Sequence, residues 1–271
     1  MSDRVLAEGD KVILVDAKGR QYLIDLVEGG EFHTHTGIVK HETLIGQPEG
    51  TTVRSNSNAR YTAMRPTLTD FVLRMPRGAQ VIYPKDLGPI LMLADIEPGL
   101  HVFESGVGSG ALSMTLLRAG ATVTGYEQRE DFAARAKENV RSFLGEEASS
   151  RYHVEVRDTY AGIDVRGVDR VILDLPEPWN VVKHAAVAMR PGGILVSYSP
   201  SIAQVMQLHD AFEDSGFHLA QTMEVLQRTW HVEGQAVRPD HRMVAHTGFL
   251  TSARLLGEIP GGLKPPRIGQ G

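Results

Sequence analysis

Two stretches decide the fold: Leu100-His-Val-Phe-Glu-Ser-Gly-Val-Gly-Ser-Gly110 and, after it, Ala121-Thr-Val-Thr-Gly-Tyr-Glu127. They predict a strand, a glycine loop, a helix from Ala111 to Arg118 and a second strand that ends in an acidic residue. Doubly wound α/β domains hold adenosine-containing ligands in this way, because glycine lets the backbone approach the ligand and the carboxylate accepts hydrogen bonds from the ribose hydroxyls. Glycines also serve tight turns alone, but here all these features occur in the required order.

The spacing of the loop, Glu104-x-Gly-x-Gly-x-Gly110, differs from the G-x-G-x-x-G pattern of dinucleotide sites. A carboxylate just before the glycines is poorly placed for a phosphate. It is well placed for the cationic amino-acid and sulfonium end of S-adenosylmethionine. The loop therefore favours a methyltransferase cofactor site over a dehydrogenase site.

The composition is that of a soluble globular protein, since 42% of the 271 residues are apolar and 23% are charged. This length fits one large domain, or one standard domain with a small one. No run of about 18 apolar residues occurs, which argues against a membrane span. The chain has no cysteine, which excludes disulfides and thiolate–zinc sites, and its first residues lack a signal-peptide pattern, so we expect a cytoplasmic protein.

The net charge is mildly acidic, because 28 Lys and Arg residues stand against 33 Asp and Glu residues, which gives −5. An indiscriminate nucleic-acid binder would usually be basic overall, so the composition argues against that class. A local basic face remains compatible with this charge, since phosphate recognition depends on a surface patch.

Residues 9 to 65 predict a small β module, a barrel or a sandwich, because short strand-like runs alternate with glycine-containing turns. The predicted strands are Lys11–Val15, Gln21–Leu26, Gly37–Lys40 and Thr51–Arg54. His33, His35 and His41 in this module could suggest a metal site. No carboxylate or cysteine completes the set within the run, so surface or packing histidines are the favoured interpretation.

The chain changes character after this module. Helical periodicity marks Pro66–Met75, and a further helix is predicted over Leu87–Asp95. Between them, Gln80-Val-Ile-Tyr-Pro-Lys-Asp86 places a phenol, an ammonium and a carboxylate just ahead of the glycine-loop strand. On spacing alone, a functional role and a simple turn with Asp86 as the helix N-cap are equally good explanations.

Alternating elements continue after Glu127. A helix is predicted over Asp131–Phe143 and a third strand over Tyr152–Val156. Asp158 follows this strand, at a place where an adenine N6 amine could bind. The alternative is that its carboxylate only caps the next turn.

The fourth strand begins at Val168 and runs into Asp174-Leu-Pro-Glu-Pro-Trp179. This places Asp174 at the carboxyl edge of the sheet, where open α/β sheets bind ligands. The two prolines cannot continue the strand and present the carboxylate from a stiff loop, so a functional role is favoured for Asp174. For Trp179, packing is favoured over stacking on a base.

The remaining segments complete the predicted sheet. The sequence next predicts a helix over Val181–Met189, a turn and strand over Pro191–Tyr198 and a helix over Ser201–Ser215. Two last strands follow, Phe217–Val225 and His246–Leu255, and a polar loop rich in Arg and His joins them. Gly257–Gly271 reads as a flexible tail. The predicted domains are therefore residues 1–65, a small β domain, and residues 66–256, a Rossmann-like domain with a helical lead-in over 66–99, followed by the tail.

Several motifs together resemble those of the bacterial and archaeal tRNA adenine-N1 methyltransferases that modify adenosine 58 in the T loop. They are Gln80-Val-Ile-Tyr-Pro-Lys-Asp86, Glu104-x-Gly-x-Gly-x-Gly110, Tyr126-Glu-Gln-Arg129, Asp174-Leu-Pro-Glu-Pro-Trp179 and His246-Thr-Gly-Phe-Leu250. The resemblance covers nearly the whole chain. It implies an α/β, class I S-adenosylmethionine-dependent fold with a seven-stranded, mostly parallel sheet and a small N-terminal β-barrel-like domain. It also implies a homotetramer and tRNA as substrate.

The resemblance also implies roles for single residues. The cofactor loop corresponds to Gly106, Val107, Gly108, Ser109 and Gly110, the ribose acid to Glu127 and the adenine-side acid to Asp158. Asp174 matches the carboxylate at the target base, beside the cofactor, and Tyr83 matches the phenol next to it. Relatives carry histidine where this chain has Phe132, so an apolar contact near the cofactor adenine is expected there.

The expected chemistry needs alignment more than a strong base, because adenine N1 is unprotonated near neutral pH and already carries the attacking lone pair. Asp174 would accept a hydrogen bond from the exocyclic N6 and balance the positive charge of the product. Two alternatives are a small-molecule or protein methyltransferase and a non-catalytic tRNA-binding subunit of the same fold. A non-catalytic subunit would lack Asp174 or have a broken glycine loop, whereas this chain contains Asp174 and an intact glycine loop.

Overall fold

The computed structural model describes residues 5–78 and 80–257. The chain folds into two compact units that divide between Met75 and Pro76. Of the predicted tail, Gly257–Gly271, everything from residue 258 onward lies outside the described residues. In the described part of the chain, no helix has both the length and the apolar character needed to cross a membrane.

In its described residues, 5–75, the first unit contains six strands and one α-helix: β1 (Lys11–Asp16), β2 (Gln21–Asp25), β3 (Glu31–Thr34), β4 (Gly37–Lys40), β5 (Thr52–Arg54), β6 (Arg60–Met64) and α1 (Leu68–Arg74). An antiparallel sheet has the order β2-β1-β6-β5, and β3 and β4 form a separate hairpin. All four predicted strands are present. β3 and β6 were not predicted, because both strands contain several polar residues and show only a weak apolar pattern.

The histidines of the first unit have local partners. The buried ring of His41 accepts a hydrogen bond from the Val27 N–H at 3.1 Å. His33 pairs with Glu31 at 3.1 Å, and His35 contacts Arg20 at 3.2 Å. Among the residues with described placement, no group of three or more potential metal ligands comes together.

The part of the second unit that the structure describes contains five α-helices and nine strands. The helices are α2 (Pro84–Leu93), α3 (Ala111–Arg118), α4 (Glu130–Ser150), α5 (Val182–Ala188) and α6 (Ile202–Glu213). The strands are β7 (His101–Ser105), β8 (Thr122–Glu127), β9 (Tyr152–Val156), β10 (Val168–Leu173), β11 (Met189–Ser199), β12 (Phe217–Glu224), β13 (Trp230–Glu233), β14 (Ala236–Pro239) and β15 (Phe249–Leu255).

Seven of these strands form one sheet in the order β12-β15-β11-β10-β7-β8-β9. Every neighbouring pair from β11 to β9 is parallel, and β15 runs antiparallel to both of its neighbours. This arrangement confirms the predicted class I fold. Apolar side chains of the central strands, such as Val171, Leu173 and Leu195, are fully buried because helices cover the sheet.

Three local predictions need correction. Helix α2 begins at Pro84 and is capped by Tyr83, so the alternative in which Asp86 is the N-cap is wrong. Helix α4 continues to Ser150, with an interruption at Gly145, where φ is 83°. The polar segment before β15 contains the hairpin of β13 and β14 and is more than a loop, because short, charged strands carry little apolar signal.

The order of the strands places the functional edge of the sheet. β8 and β9 extend from one side of β7, and β11 extends from the far side of β10. The chain therefore reverses its direction of growth between β7 and β10. The loops that leave the carboxyl ends of these two strands diverge there and open a crevice for a ligand.

Candidate active site

A cavity of about 560 Å³ lies at this edge of the sheet. Six of the residues singled out by the sequence analysis line it: Gly106, Gly108, Glu127, Phe132, Asp158 and Asp174. The structure thus brings together the glycine loop, the acid after β8 and the acids after β9 and β10. Its size accommodates a small organic ligand with room for a second group beside it.

Gly106 forms the closest contact between the two central loops. Its φ is 84°, and a Cβ atom on this residue would lie 1.9 Å from the carbonyl oxygen of Asp174. The backbone N–H of Asp174 donates to the carbonyl of Ser105 at 2.9 Å. Glycine is required at this position because any side chain would push the Asp174 loop away from the glycine loop.

Glu127 is fixed by backbone donors on both sides. The N–H of Gly108 donates to one carboxylate oxygen at 2.9 Å, and the N–H of Arg129 donates to the other at 3.0 Å. Each oxygen keeps capacity for a further hydrogen bond, because an ionised carboxylate has about four acceptor positions. The carboxylate therefore faces the cavity as a rigid acceptor for hydroxyl groups.

Asp174 follows the last residue of β10 and is partly exposed, through the cavity that it lines. Its deep position raises the pKa of the carboxyl to about 7, and the nearby charge of Glu127 adds to this effect. A cation bound in the cavity would favour the ionised form of Asp174. The site is therefore electrostatically suited to a positively charged ligand.

Glu104 does not occupy the place that the sequence analysis expected. Because side chains alternate along a strand, Ser105 faces the cavity and Glu104 faces the other side of the sheet. There Ser113 donates to its carboxylate at 2.6 Å and lies 2.8 Å from the Tyr152 hydroxyl. Burial raises the pKa of Glu104 to about 8, and Asp174 and Glu127 add to the shift.

Asp158 caps the turn that follows β9 and also lines the cavity. Its carboxylate accepts the N–H of Tyr160 at 2.9 Å and caps the short turn after β9, which confirms the capping interpretation. It also lines the cavity, so the capped carboxylate remains accessible to a ligand. Phe132 forms an apolar part of the wall, and the guanidinium of Arg129 covers its ring at 3.6 Å from the centroid.

The other predicted site residues lie outside the cavity lining as the described residues define it. Val107 is buried, and Ser109 is also buried and accepts a hydrogen bond from Asn139 at its carbonyl. Gly110 caps α3, as Tyr83 caps α2. Trp179 is half-buried in the turn before α5 and does not line the cavity either.

The wall opposite the glycine loop contains residues that the sequence analysis missed. Gln204 donates to the carbonyl of Pro176 at 2.8 Å, and both residues line the cavity. The ring of His246 lies 2.9 Å from the carbonyl of Pro200, another lining residue, and 2.7 Å from Glu224. Pro200 and Gln204 had no predicted role, whereas Asp174 with its prolines and the motif that begins at His246 had been singled out. Ser201, the predicted cap of α6, forms a capping box with Gln204 as its third residue.

Tyr198, on β11, is a further residue without a sequence signal. Burial raises the pKa of its phenol to about 12, and the charges of Asp86 and Asp174 and the neighbouring Tyr83 add to the shift. Asp86, Asp174 and Tyr83 therefore each lie close enough to Tyr198 to influence its phenol electrostatically.

Chemically, the site combines rigid acceptors with carboxylates that gain from a nearby positive charge. Glu127 can accept from two adjacent hydroxyls, such as those of a ribose. Asp174 can orient a polar planar group and stabilise positive charge that develops on it. The arrangement fits a ribose-containing cation in one part of the cavity and a nucleophile in the other.

Family models match most of the chain. One, described as the tRNA methyltransferase complex GCD14 subunit, matches residues 61–241. A second, described as TrmI-like N-terminal, matches residues 5–53.

Among curated proteins, a tRNA (adenine(58)-N(1))-methyltransferase TrmI of Thermus thermophilus is 40% identical over 246 residues, which cover 90% of this chain and 96% of that protein. Among solved structures, the SAM-dependent O-methyltransferase of Thermotoga maritima matches with a TM-score of 0.89 and 31% identity, over 94% of this chain and 96% of that one. The tRNA (m1A58) methyltransferase TrmI of Aquifex aeolicus matches with a TM-score of 0.82 and 26% identity, over 94% of this chain and all (100%) of that one.

Proposed function

This chain belongs to the tRNA (adenine-58 N1)-methyltransferase family of the bacterial and archaeal type, and we propose that it transfers a methyl group from S-adenosylmethionine to N1 of adenosine 58 in the T loop of tRNA. One observation carries the proposal. The carboxylate of Asp174 opens into the same cavity as Glu127 and the glycine loop. A methyl donor and its acceptor need such a shared space, because the reacting atoms must approach in one line.

The residues around the cavity fit the proposed cofactor. S-adenosylmethionine, when bound, supplies an electrophilic methyl group on a positively charged sulfur. Glu127 can accept the ribose hydroxyls, and Asp158 and Phe132 form the adenine side. The loop is completed by Gly106, Val107, Gly108, Ser109 and Gly110. The raised pKa of Asp174, which burial and the nearby charge of Glu127 cause, supports a cationic occupant, since a positive charge in the cavity would favour the ionised carboxylate.

The target adenine occupies the Asp174 side of the cavity in this proposal. Its N1 carries a free lone pair near neutral pH, so the enzyme needs no strong base. Asp174 accepts a hydrogen bond from N6, which orients the ring and stabilises the positive charge that the base acquires. Tyr83 holds the same base from its place before α2. Because N1 lies on the pairing edge, the nucleoside must leave its stack to enter the cavity.

The proposal is tested with Asp174→Asn, which keeps the shape of the side chain and removes its charge. We expect methyl transfer to tRNA to fall by about 100-fold or more, since such electrostatic contacts are worth this much in other active sites. Affinity for S-adenosylhomocysteine, which lacks the positive charge on sulfur, should change little. Methyl incorporation from labelled cofactor and calorimetry measure the two quantities.

The matched substrate control is a tRNA transcript that carries guanosine in place of adenosine 58. Mass spectrometry of digested wild-type product should place the methyl group at position 58, and the altered transcript should stay unmethylated. Equal methylation of both transcripts, or unchanged turnover by Asp174→Asn, would contradict the proposed substrate or the proposed role of Asp174.

The family resemblance also implies a homotetramer, and we retain this assembly as part of the proposal. Exposed apolar side chains on the hairpin of β13 and β14 support it, since Trp230, Val232 and Val237 are 56%, 69% and 58% exposed. Light scattering in solution would measure the mass of the assembly. The cytoplasmic location expected from the sequence stays a prediction.

A further inference from the structure

A buried polar cluster outside the cavity joins the start of α2 to the segment before β15. The ammonium of Lys85 lies 2.8 Å from Asp86 and donates to the carbonyl of Val225 at 2.6 Å. The hydroxyl of Thr247 donates to the other oxygen of Asp86, also at 2.6 Å. The side chains of Lys85 and Asp86 are only 2% and 0% exposed. A charged pair this deep persists only where such partners satisfy it, because desolvation is costly.

Asp86 fixes the turn that carries Tyr83. Its backbone N–H donates to the carbonyl of Tyr83 at 2.8 Å, and Tyr83 is the N-cap residue of α2. The side chain of Asp86 is in turn held by Lys85 and Thr247. Thr247 is therefore linked to Tyr83 by two hydrogen bonds, which both involve Asp86.

Thr247 also holds a second phenol through its backbone. The hydroxyl of Tyr198 donates to the Thr247 carbonyl at 2.6 Å. The next residue, Gly248, leaves room for the ring, since a Cβ there would lie 2.5 Å from Cζ of Tyr198. The side chain of Thr247 thus contacts α2, whose N-cap residue is Tyr83, and its carbonyl contacts Tyr198 on β11. Tyr198 follows Ser197, which pairs with Leu173, the residue before Asp174.

We propose that Thr247 is a positioning residue for methyl transfer, which sets the turn of Tyr83 through Asp86 and the phenol of Tyr198 through its own carbonyl. The inference rests on the proposed function, because it concerns the part of the cavity assigned to the target adenine. Neither Thr247 nor Asp86 lines the cavity. Both therefore act through the tyrosines and without contact to the substrate.

Thr247→Val tests this role, since it replaces the hydroxyl by a methyl group and keeps the carbonyl that binds Tyr198. We expect kcat for tRNA methylation to fall by about 10- to 100-fold, because small misplacements in a site have effects of this size. The dissociation constant of S-adenosylhomocysteine should stay within about twofold. Thr247→Ser, which restores the hydroxyl, should recover most of the lost kcat.

The matched control is Thr251→Val, on β15 in the same segment of chain. Thr251 is fully buried, whereas Thr247 is half-buried, and the hydroxyl of Thr251 lies 2.8 Å from that of Thr222. Both valine variants should lower the melting temperature, because each removes a hydrogen bond, to the buried carboxylate of Asp86 in one case and to the hydroxyl of Thr222 in the other. Only Thr247→Val should lower kcat.

A double-mutant cycle separates positioning from general destabilisation. In a Tyr83→Ala background, Thr247→Val should cause little further loss of kcat, because the residue through which it acts is gone. Equal kcat values for Thr247→Val and Thr251→Val, or additive losses in the cycle, would overturn the inference about Thr247. The proposed function would still stand in that case, provided that the wild-type protein methylates tRNA. Wild-type protein without activity on tRNA would remove both. Should Thr247→Val not fold, Thr247→Ala is measured by the same criteria.

Discussion

The two walls of the cavity are built in different ways. The loop wall, formed by Ser105, Gly106 and Gly108 with Glu127, is held mainly by the main chain: the Asp174 N–H donates to the Ser105 carbonyl, and Gly106 lies against the Asp174 carbonyl. The far wall, formed by Asp174, Pro176, Pro200 and Gln204, is held by side chains that reach backbone carbonyls. Gln204 binds Pro176, and His246, outside the wall, binds Pro200.

This difference indicates which wall can vary. A contact between backbone atoms persists through most substitutions, so the loop wall suits a cofactor whose shape never changes. A contact made by one side chain disappears with that side chain. The far wall can therefore be adjusted one residue at a time, as recognition of a particular substrate requires. Substitutions in the loop wall should have the largest effects on cofactor binding and folding, and those in the far wall should act more selectively, on methyl transfer or on tRNA binding.

Gly106→Ala should have the largest effect of any single substitution in the two walls. Its Cβ would lie 1.9 Å from the carbonyl oxygen of Asp174, and a φ of 84° is unfavourable for alanine. The two central loops must then separate, so we expect cofactor binding to fall by more than about 100-fold and the melting temperature to fall by several degrees. Calorimetry with S-adenosylhomocysteine and thermal unfolding measure these changes.

Gly108→Ala is the matched control, since it lies in the same loop and also has a positive φ, of 56°. Apart from its chain neighbours, no atom of the described residues lies within 4 Å of a Cβ placed there. In the free protein only the backbone strain remains, at about 1 kcal/mol. Because Gly108 lines the cavity, the two variants are compared by melting temperature, which should fall less for Gly108→Ala than for Gly106→Ala. Similar losses in both variants would contradict the claim that the close approach of Gly106 to Asp174 holds the loop wall.

The second prediction uses pH to compare the walls where they meet. Asp174 has a raised pKa of about 7, so it is partly protonated in the free protein at neutral pH. A positively charged ligand requires the ionised form, and its binding releases a proton. Affinity for S-adenosylmethionine should therefore fall as the pH drops from about 8 to about 6, by at most about tenfold per pH unit for each proton released. S-adenosylhomocysteine should show a shallower dependence.

Calorimetry in buffers of different ionisation enthalpy counts the released protons. The charge-free variant Asp174→Asn should reduce the slope for S-adenosylmethionine toward that for S-adenosylhomocysteine. Equal slopes for the two ligands with wild-type protein would mean that Asp174 does not sense the charge on sulfur.

Most of the loop wall could be predicted from the sequence, because its structure depends on local features of the chain. The helix Ala111–Arg118 and the strand Tyr152–Val156 were predicted with the bounds that the structure has, because glycine spacing and apolar periodicity are local signals. Glu127 and Asp174 were found because acids at strand ends are placed by the topology of the sheet.

The far wall could not be predicted in the same way. Pro200 and Gln204 reach the cavity only because α6 begins where β11 ends, and His246 comes from a segment 46 residues away from Pro200. Such contacts depend on tertiary packing, which leaves no periodic pattern in the sequence. Glu104 was misplaced for a related reason, since the alternation of β7 and not the loop spacing decides which face its side chain takes.

The smallest predicted effect belongs to Gln204→Glu in the far wall. One oxygen of the glutamate can still accept the backbone N–H of Ser201, so α6 keeps its capping box. The other oxygen replaces the amide that donates to Pro176, and two acceptors then face each other across 2.8 Å. We expect KM for tRNA to rise by roughly three- to tenfold, with little change in S-adenosylhomocysteine affinity.

Gln207→Glu provides the control for charge, because it introduces the same carboxylate on the exposed side of α6, outside the cavity lining. If the Pro176 contact matters, only Gln204→Glu should raise KM, since both variants place the same added charge on α6. Equal changes in both variants would instead indicate general repulsion of tRNA phosphates, which salt would screen. The hydrogen bond from Gln204 to Pro176 would then not determine the shape of the far wall, and the stiff backbone at its prolines would hold it instead. In that case both walls would depend on the main chain, and the difference between them would disappear.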